Sequence, residues 1–285
     1  MQEGVLEYPI GGHKFAYSVQ YKEHLLSQKT EFQQIDVYDT YCFGKLLTLD
    51  GHVQLSSLDE FAYHEALVHI PLLSLNNPKR ALVVGGGDGG VLRELCRWNS
   101  LEQIEMVEID KRVIEACRKA LPELSNGAFD DPRVTVHIAD AIQFLAEVKE
   151  PYDFIVMDIT DAYEGEDDSL SQSLFSEKFH LDTKNALNET GFLVSQADNH
   201  VFCPYSLENL KKVMGKYFSQ VSSFQALVPS FGGFSAYCLA SKGAVLRQDW
   251  PGCKELDLKY LNRTTYELAL QPLPFCVGSW NAPVS

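Results

Sequence analysis

The stretch from Arg80 to Asp110 restricts the possible folds of this chain more than any other. Ala81-Leu-Val-Val84 is a short apolar run without helical periodicity, which predicts a strand buried on both faces of a parallel sheet. Gly85-Gly-Gly-Asp-Gly-Gly90 stops it, and Val91-Leu-Arg-Glu-Leu95 then opens a helix, whose first N–H groups face whatever lies over the sheet edge. A second apolar strand, Ile104 to Val107, delivers Glu108 about 20 residues beyond the glycines, the distance at which a nucleoside-binding fold sets an acid on ribose hydroxyls. Asp88 inside the loop speaks against a dinucleotide, because its charge repels a pyrophosphate; it attracts a sulfonium or an amine.

The same alternation continues. A helix over Lys111 to Leu121, strand Val134 to Ile138, helix Ala141 to Val148 and strand Phe154 to Met157 predict an α/β domain. Asp88, Glu108, Asp140 and Asp158 then all project from the carboxyl ends of parallel strands, where open α/β sheets bind ligands. A helix over 173–188, strand Phe192 to Gln196, helix Leu207 to Phe218 and paired strands around 221–228 and 235–240 complete the sheet. From Glu255 on, a polar helix and a Pro-rich tail read as packing, and no internal repeat is visible.

Before this domain the pattern is different. Phe15, Tyr17, Val19 and Tyr21 alternate with other residues, Ile35 and Val37 keep the two-residue period, and Asp50-Gly51 sits between two short apolar runs as a hairpin signal. A small antiparallel β-domain is predicted over 1–58, with the catalytic domain over 59–285. Alternation this wide also suits a face covered by a second copy of the chain. Between them, Asp59 to Ile70 has helix composition and an acidic first turn, ending at Pro71. His64-Glu65 and His69 do not form a zinc-binding His-Glu-x-x-His, because the histidines are five apart rather than four, so no metal is expected.

Composition excludes several functions. A net charge of −15 disfavours binding to nucleic-acid backbones and accepts cationic small molecules. The 7 cysteines are odd in number and spread without a Cys-x-x-Cys, so neither a disulfide framework nor a zinc site is implied, and a reducing cytoplasm suits them. Neither an export signal nor a membrane span is expected. Asp158-Ile-Thr-Asp161, with Asp88 and Asp198, predicts an anionic mouth that concentrates polycations, while Glu164 to Asp168, after Tyr163, reads as a solvated acidic loop.

Together these words resemble the polyamine aminopropyltransferases of the spermidine synthase family over nearly the whole chain. They are Leu49-Asp-Gly-His-Val-Gln54, Asp59-Glu-Phe-Ala-Tyr-His-Glu65, Val84 to Glu94, Val107-Glu-Ile-Asp110, Asp130-Asp-Pro-Arg133 and Leu258-Lys-Tyr-Leu-Asn262. The resemblance implies a Rossmann-like, methyltransferase-type sheet behind the small β-domain, and a homodimer or homotetramer. It implies aminopropyl transfer from decarboxylated S-adenosylmethionine, a co-substrate rather than a prosthetic group, to a diamine, foremost putrescine. Gln33 and Glu108 resemble contacts to the ribose and thioether region, Asp140 and Ala141 the adenine contacts, and Gly85 and Gly87 the glycines beneath the nucleoside. Asp88 and Tyr63 resemble the groups that hold the aminopropyl arm. Asp158 resembles the base, its pKa raised by burial and neighbouring carboxylates, while Gln54, His64, Asp161, Gln196 and Phe231 resemble the lining of the amine pocket.

Two departures bear on the acceptor. Asp161 is followed by Ala162-Tyr-Glu-Gly165 where the family usually has Pro-x-Gly-Pro, and Pro229-Ser-Phe231 replaces Pro-Thr-Tyr, removing a hydroxyl. The second also resembles members that extend spermidine to a tetraamine. Rival readings are an S-adenosylmethionine-dependent amine N-methyltransferase on the same fold, a silent polyamine-binding protein, and a dinucleotide oxidoreductase, which Asp88 disfavours.

Overall fold

The computed structural model describes residues 3–10, 15–159, 176–253 and 255–273; Asp161 and Tyr163 to Asp168 lie outside them. The predicted β-domain is a five-stranded antiparallel sheet in chain order: β1 (Gly4–Ile10), β2 (Phe15–Lys29), β3 (Gln34–Thr40), β4 (Lys45–Leu49) and β5 (His52–Ser56). The hairpin signal between β4 and β5 turns as expected, with φ of 48° at Asp50 and 81° at Gly51, the pair of left-handed residues that a two-residue turn demands. Ile35, Val37, Leu47 and Leu55 pack against Val113, Cys117, Leu121 and Leu124 of the second unit. Phe15, Leu25 and Tyr41 remain exposed.

The second sheet contains β6 (Arg80–Gly85), β7 (Gln103–Glu108), β8 (Val134–Ile138), β9 (Tyr152–Asp158), β10 (Leu187–Asn199), β11 (Gln220–Val228) and β12 (Gly233–Ser241), in the order β11-β12-β10-β9-β6-β7-β8. Strands β10, β9, β6, β7 and β8 are parallel, and the β11–β12 hairpin adds an antiparallel edge. Ala81 to Val84 are almost fully buried, as an apolar run covered on both faces must be. After β6 the chain moves out to β7 and β8, then returns to β9 on the other side of β6. The crevice where connections part lies at the carboxyl ends of β6 and β9, the ligand position in open α/β sheets. Among the described residues no helix is long and apolar enough to cross a membrane.

The helices are α1 (Glu60–Leu72), α2 (Gly90–Cys96), α3 (Lys111–Ala120), α4 (Pro122–Ser125), α5 (Ala141–Ala146), α6 (Glu177–Asn185), α7 (Pro204–Met214) and α8 (Arg263–Ala269). Pro71 does not end α1 as predicted. It lies in the last turn, where Leu73 N–H still reaches the His69 carbonyl at 2.9 Å. Helix α6 stops at Asn185, short of the predicted 188, because β10 begins at Leu187. The polar stretch from Glu255 is not helical until Arg263, where Asn262 forms a capping box with Thr265.

The reason lies in α1, whose residues are all buried except Phe61. A helix buried all round must find a partner for every charge it carries. Glu65 accepts backbone N–H groups from Lys259, Tyr260 and Leu261, each at 2.8 Å, drawing them onto one carboxylate. His69 lies between Glu94 at 2.9 Å and the Trp98 indole N–H at 2.9 Å. Glu65→Gln keeps the shape but replaces an acceptor oxygen by a donor, and is expected to cost about 2 kcal/mol. Urea unfolding measures it; an unchanged midpoint contradicts the account.

Candidate active site

Two glycines bring the carboxyl ends of β6 and β9 and the helix α1 into contact. Gly85 has φ of +78°, and a Cβ there would lie 2.3 Å from the Asp158 carbonyl oxygen. The next residue fastens the junction, since Gly86 N–H donates to that same carbonyl at 2.9 Å. Gly90, at the start of α2, has the His64 ring against its Cα; a Cβ would meet Cε1 at 2.3 Å. The loop is glycine-rich because side chains from β9 and α1 occupy the space that a Cβ would need.

The four strand-end acids stand in a row across β9, β6, β7 and β8, three interstrand steps or roughly 14 Å. Asp158 Oδ1 accepts the Tyr63 hydroxyl at 2.6 Å. Asp88 Oδ1 accepts Gly90 N–H at 2.6 Å, and Glu108 Oε1 accepts Asp110 N–H at 2.9 Å. Gly87 N–H also points to Glu108. Asp140 Oδ1 accepts Ile142 N–H at 2.8 Å, capping α5 where Ala141 begins it. Burial, with backbone N–H groups opposing it, pushes Glu108 up to about 7. Burial and then the charge of Asp88 push Asp158 up to about 6, and burial raises Asp88 as well.

Behind them lies a buried chain of charges. His64 Nδ1 donates to Glu60 Oε2 at 2.7 Å, and its Nε2 faces Asp88 Oδ1 at 3.4 Å. Arg93 grips both oxygens of Glu60, at 2.9 and 2.8 Å. Burial alone would lower the imidazole, but Asp88 and Glu60 raise it to about 9. Glu60 falls to about 2 despite burial, through His64 and Arg93. Donor atoms of His64, Asp88 and Asp158 lie within 4.8 Å of one another, close enough for a cation. An imidazolium has no lone pair to coordinate a metal, so the group suits an ammonium or a proton better.

On the other side of Asp158, Gln196 Nε2 donates to the Ile159 carbonyl at 2.8 Å, and its Oε1 accepts Asp198 N–H at 2.9 Å. Tyr63 packs edge-on to His64 and to Phe231, with ring centroids at 5.2 and 5.7 Å. The Phe231 loop is held from two directions. Asp59 accepts the Ser230 N–H and hydroxyl, both at 2.7 Å, and the Tyr8 hydroxyl of β1 donates to the Ser230 carbonyl at 3.0 Å. Gln33 Nε2 donates to Asp110 Oδ2 at 3.2 Å, placing it two residues from Glu108, and Gln54 Nε2 donates to the His52 carbonyl of its own strand at 3.2 Å.

A spermine/spermidine synthase domain matches residues 60–248, and a spermidine synthase tetramerisation domain matches residues 7–57. The chain belongs to the spermine/spermidine synthase family. It is 39% identical over 228 residues to a polyamine aminopropyltransferase of Alkaliphilus metalliredigens, covering 79% of this chain and 78% of that one. To one of Pectobacterium atrosepticum it is 40% identical over 225 residues, covering 79% and 77%. The fold is similar to a spermidine synthase from Thermotoga maritima, with a TM-score of 0.84, 28% identity and coverage of 94% and 92%. A spermidine synthase in complex with the transition state analogue AdoDATO gives 0.85 at 28% identity, covering 96% and 93%. As a member of this family the chain is a transferase, a polyamine aminopropyltransferase.

In this member of the family the structure gathers Tyr63, His64, Asp88, Asp158, Gln196 and Phe231 around one crevice, and sets Gln33, Glu108, Asp140 and Ala141 along the sheet edge beyond it. Sequence reasoning overlooked Glu60, Arg93, Asp59, Gly90 and Tyr8. Glu60 carried a usable signal, its spacing of four from His64 on one helix. The others meet their partners only through the tertiary fold, and Asp59 and Glu60 read in sequence as an acidic first turn within a family-like word, with no role assigned to either.

Proposed function

We propose that the crevice transfers the aminopropyl group of decarboxylated S-adenosylmethionine to putrescine, giving spermidine and methylthioadenosine. The observation that carries this is the raised, Tyr63-bonded carboxyl of Asp158 beside Asp88 at the sheet's switch point. The nucleoside lies along the row of acids, Asp140 and Ala141 at the base, Glu108 and Gln33 at the ribose and thioether, above Gly85 and Gly87. Asp88 and Tyr63 hold the aminopropyl arm. The acceptor lies among Gln54, His64, Asp161, Gln196 and Phe231.

Asp158 takes one proton from the acceptor ammonium. The freed nitrogen lone pair attacks the arm's carbon next to sulfur, a C–N bond forms, and the C–S bond breaks with its electrons going to sulfur. The new secondary ammonium keeps its other protons, and the proton on Asp158 passes to solvent. An ammonium near 10.4 and an ordinary aspartate near 3.9 leave a deficit of roughly 9 kcal/mol. With Asp158 at about 6, the gap shrinks to roughly 6 kcal/mol. Desolvation of the bound ammonium and alignment of nitrogen with carbon supply what is left.

Residues 1–58 are the oligomer contact and one wall of the site, and 59–285 the catalytic domain. The exposed Phe15, Leu25 and Tyr41 of the β-domain support a homodimer or homotetramer. Incubation with decarboxylated S-adenosylmethionine or S-adenosylmethionine, each with putrescine, cadaverine and spermidine, tests the reading by mass spectrometry of products. Spermidine and methylthioadenosine from putrescine are expected. Methylputrescine without methylthioadenosine, or turnover of spermidine alone, refutes it.

A further inference from the structure

The crevice holds an odd number of charges. Among the described residues Glu60, Asp88, Asp158 and Glu94, which shares Arg93 with Glu60, face three cations, Arg93, Arg97 and His64. One carboxyl is therefore in excess, and hydrogen bonding decides which one takes a proton. Glu60 is gripped by both Arg93 nitrogens and by His64. Asp88 has the Gly90 N–H and the facing edge of His64. Asp158 has the Tyr63 hydroxyl, a single neutral donor to its side chain among the described residues. A neutral donor stabilises a carboxylate less than a charged one, so Asp158 is the first of these acids to take a proton as pH falls, and above that point it stands ionised as the base.

This allocation depends on His64 being charged, and a buried imidazole next to nothing would be neutral. We propose that Glu60 is a positioning residue that acts through His64: it holds an imidazolium against Asp88, keeps that carboxylate ionised, and so confines the exchangeable proton to Asp158. Arg93 fixes Glu60, and the ring lies flat against Gly90, where no side chain can displace it. Other titratable groups near the acids are Tyr63, Tyr237 near Asp158 and Cys117 near Asp88 and Glu108. Burial keeps Tyr237 and Cys117 neutral. The device confers a division of labour on two adjoining acids, one an ionised anchor for a cation and the other a base that can be unloaded.

The inference rests on the transfer reading only for its kinetic arm. In Glu60→Gln the sign of the change is diagnostic. Removing a negative charge while His64 stays charged would move the acid limb of kcat/KM to lower pH. Losing the imidazolium moves it to higher pH, by about one unit. The upward shift is expected in Glu60→Gln and in His64→Gln, with no further shift in the double variant. A downward shift, an unmoved limb, or additive shifts overturns the proposal. Nitrogen NMR of His64 in the substrate-free enzyme decides the same point without turnover and without any variant that must fold. An imidazolium persisting to pH 8 is expected, and a neutral ring at pH 7 overturns the proposal even if spermidine is made.

Discussion

Asp158→Asn lowers turnover at least a hundredfold and leaves nucleoside binding nearly intact. Asparagine presents the same outline and still accepts the Tyr63 hydroxyl through its Oδ1. It cannot take a proton from an ammonium, so the loss falls on kcat, as expected for removal of a general base. Calorimetric titration with methylthioadenosine and steady-state kinetics separate the two. Retained turnover would remove Asp158 from the chemistry. Stability behaves in the opposite way. The folded-state pKa of about 6 lies above the ordinary value near 3.9, so the contribution of Asp158 to stability is present in full below about 4 and is lost as pH rises through about 6. The neutral variant escapes that loss, and its melting temperature at pH 8 is no lower than that of the parent. A markedly lower one would mean that the ionised form is stabilised by contacts other than those described.

Gly85→Ala has the largest expected effect on the fold. At φ of +78° an alanine costs roughly 1–2 kcal/mol on backbone grounds alone. Its Cβ would also lie 2.3 Å from a carbonyl oxygen, so the β6–β9 junction must part, adding roughly 1–3 kcal/mol of overpacking. A total of about 3 kcal/mol, with loss of turnover through displaced Asp158, is expected in urea unfolding and activity assays. The obstruction is backbone, which cannot rotate aside as a side chain would. A variant as stable and active as the parent would show that the two strand ends are not in contact.

The sheet, its glycine loop and the row of acids were legible in the sequence because each follows from local pattern. Ala81 to Val84 is apolar without a period, and Asp158 follows the buried run Phe154 to Met157. The hairpin at Asp50-Gly51 was legible for the same reason. Length and ends were less so. Helix composition alone placed the end of α1 before Pro71, but a proline in the last turn forfeits a single hydrogen bond and packing of Ile70 and Leu72 keeps the turn. The stretch after Glu255 looked helical because it is polar, yet Glu65, nearly 200 residues away in sequence, claims three of its N–H groups. Similarly, Glu60 and Arg93 acquire meaning only when α1 and α2 cross, a pairing with no local trace.

The burial of α1 has a consequence for biosynthesis. The helix needs Arg93 for Glu60, Asp88 for His64, Glu94 and Trp98 for His69, and the peptide groups of residues 259–261 for Glu65. Unpaired, each of these polar groups opposes burial. While the ribosome is still adding residues, the segment joining the N-terminal hairpins to the nucleotide-type sheet has to wait for almost all of residues 60–261 to emerge before its last partners are present.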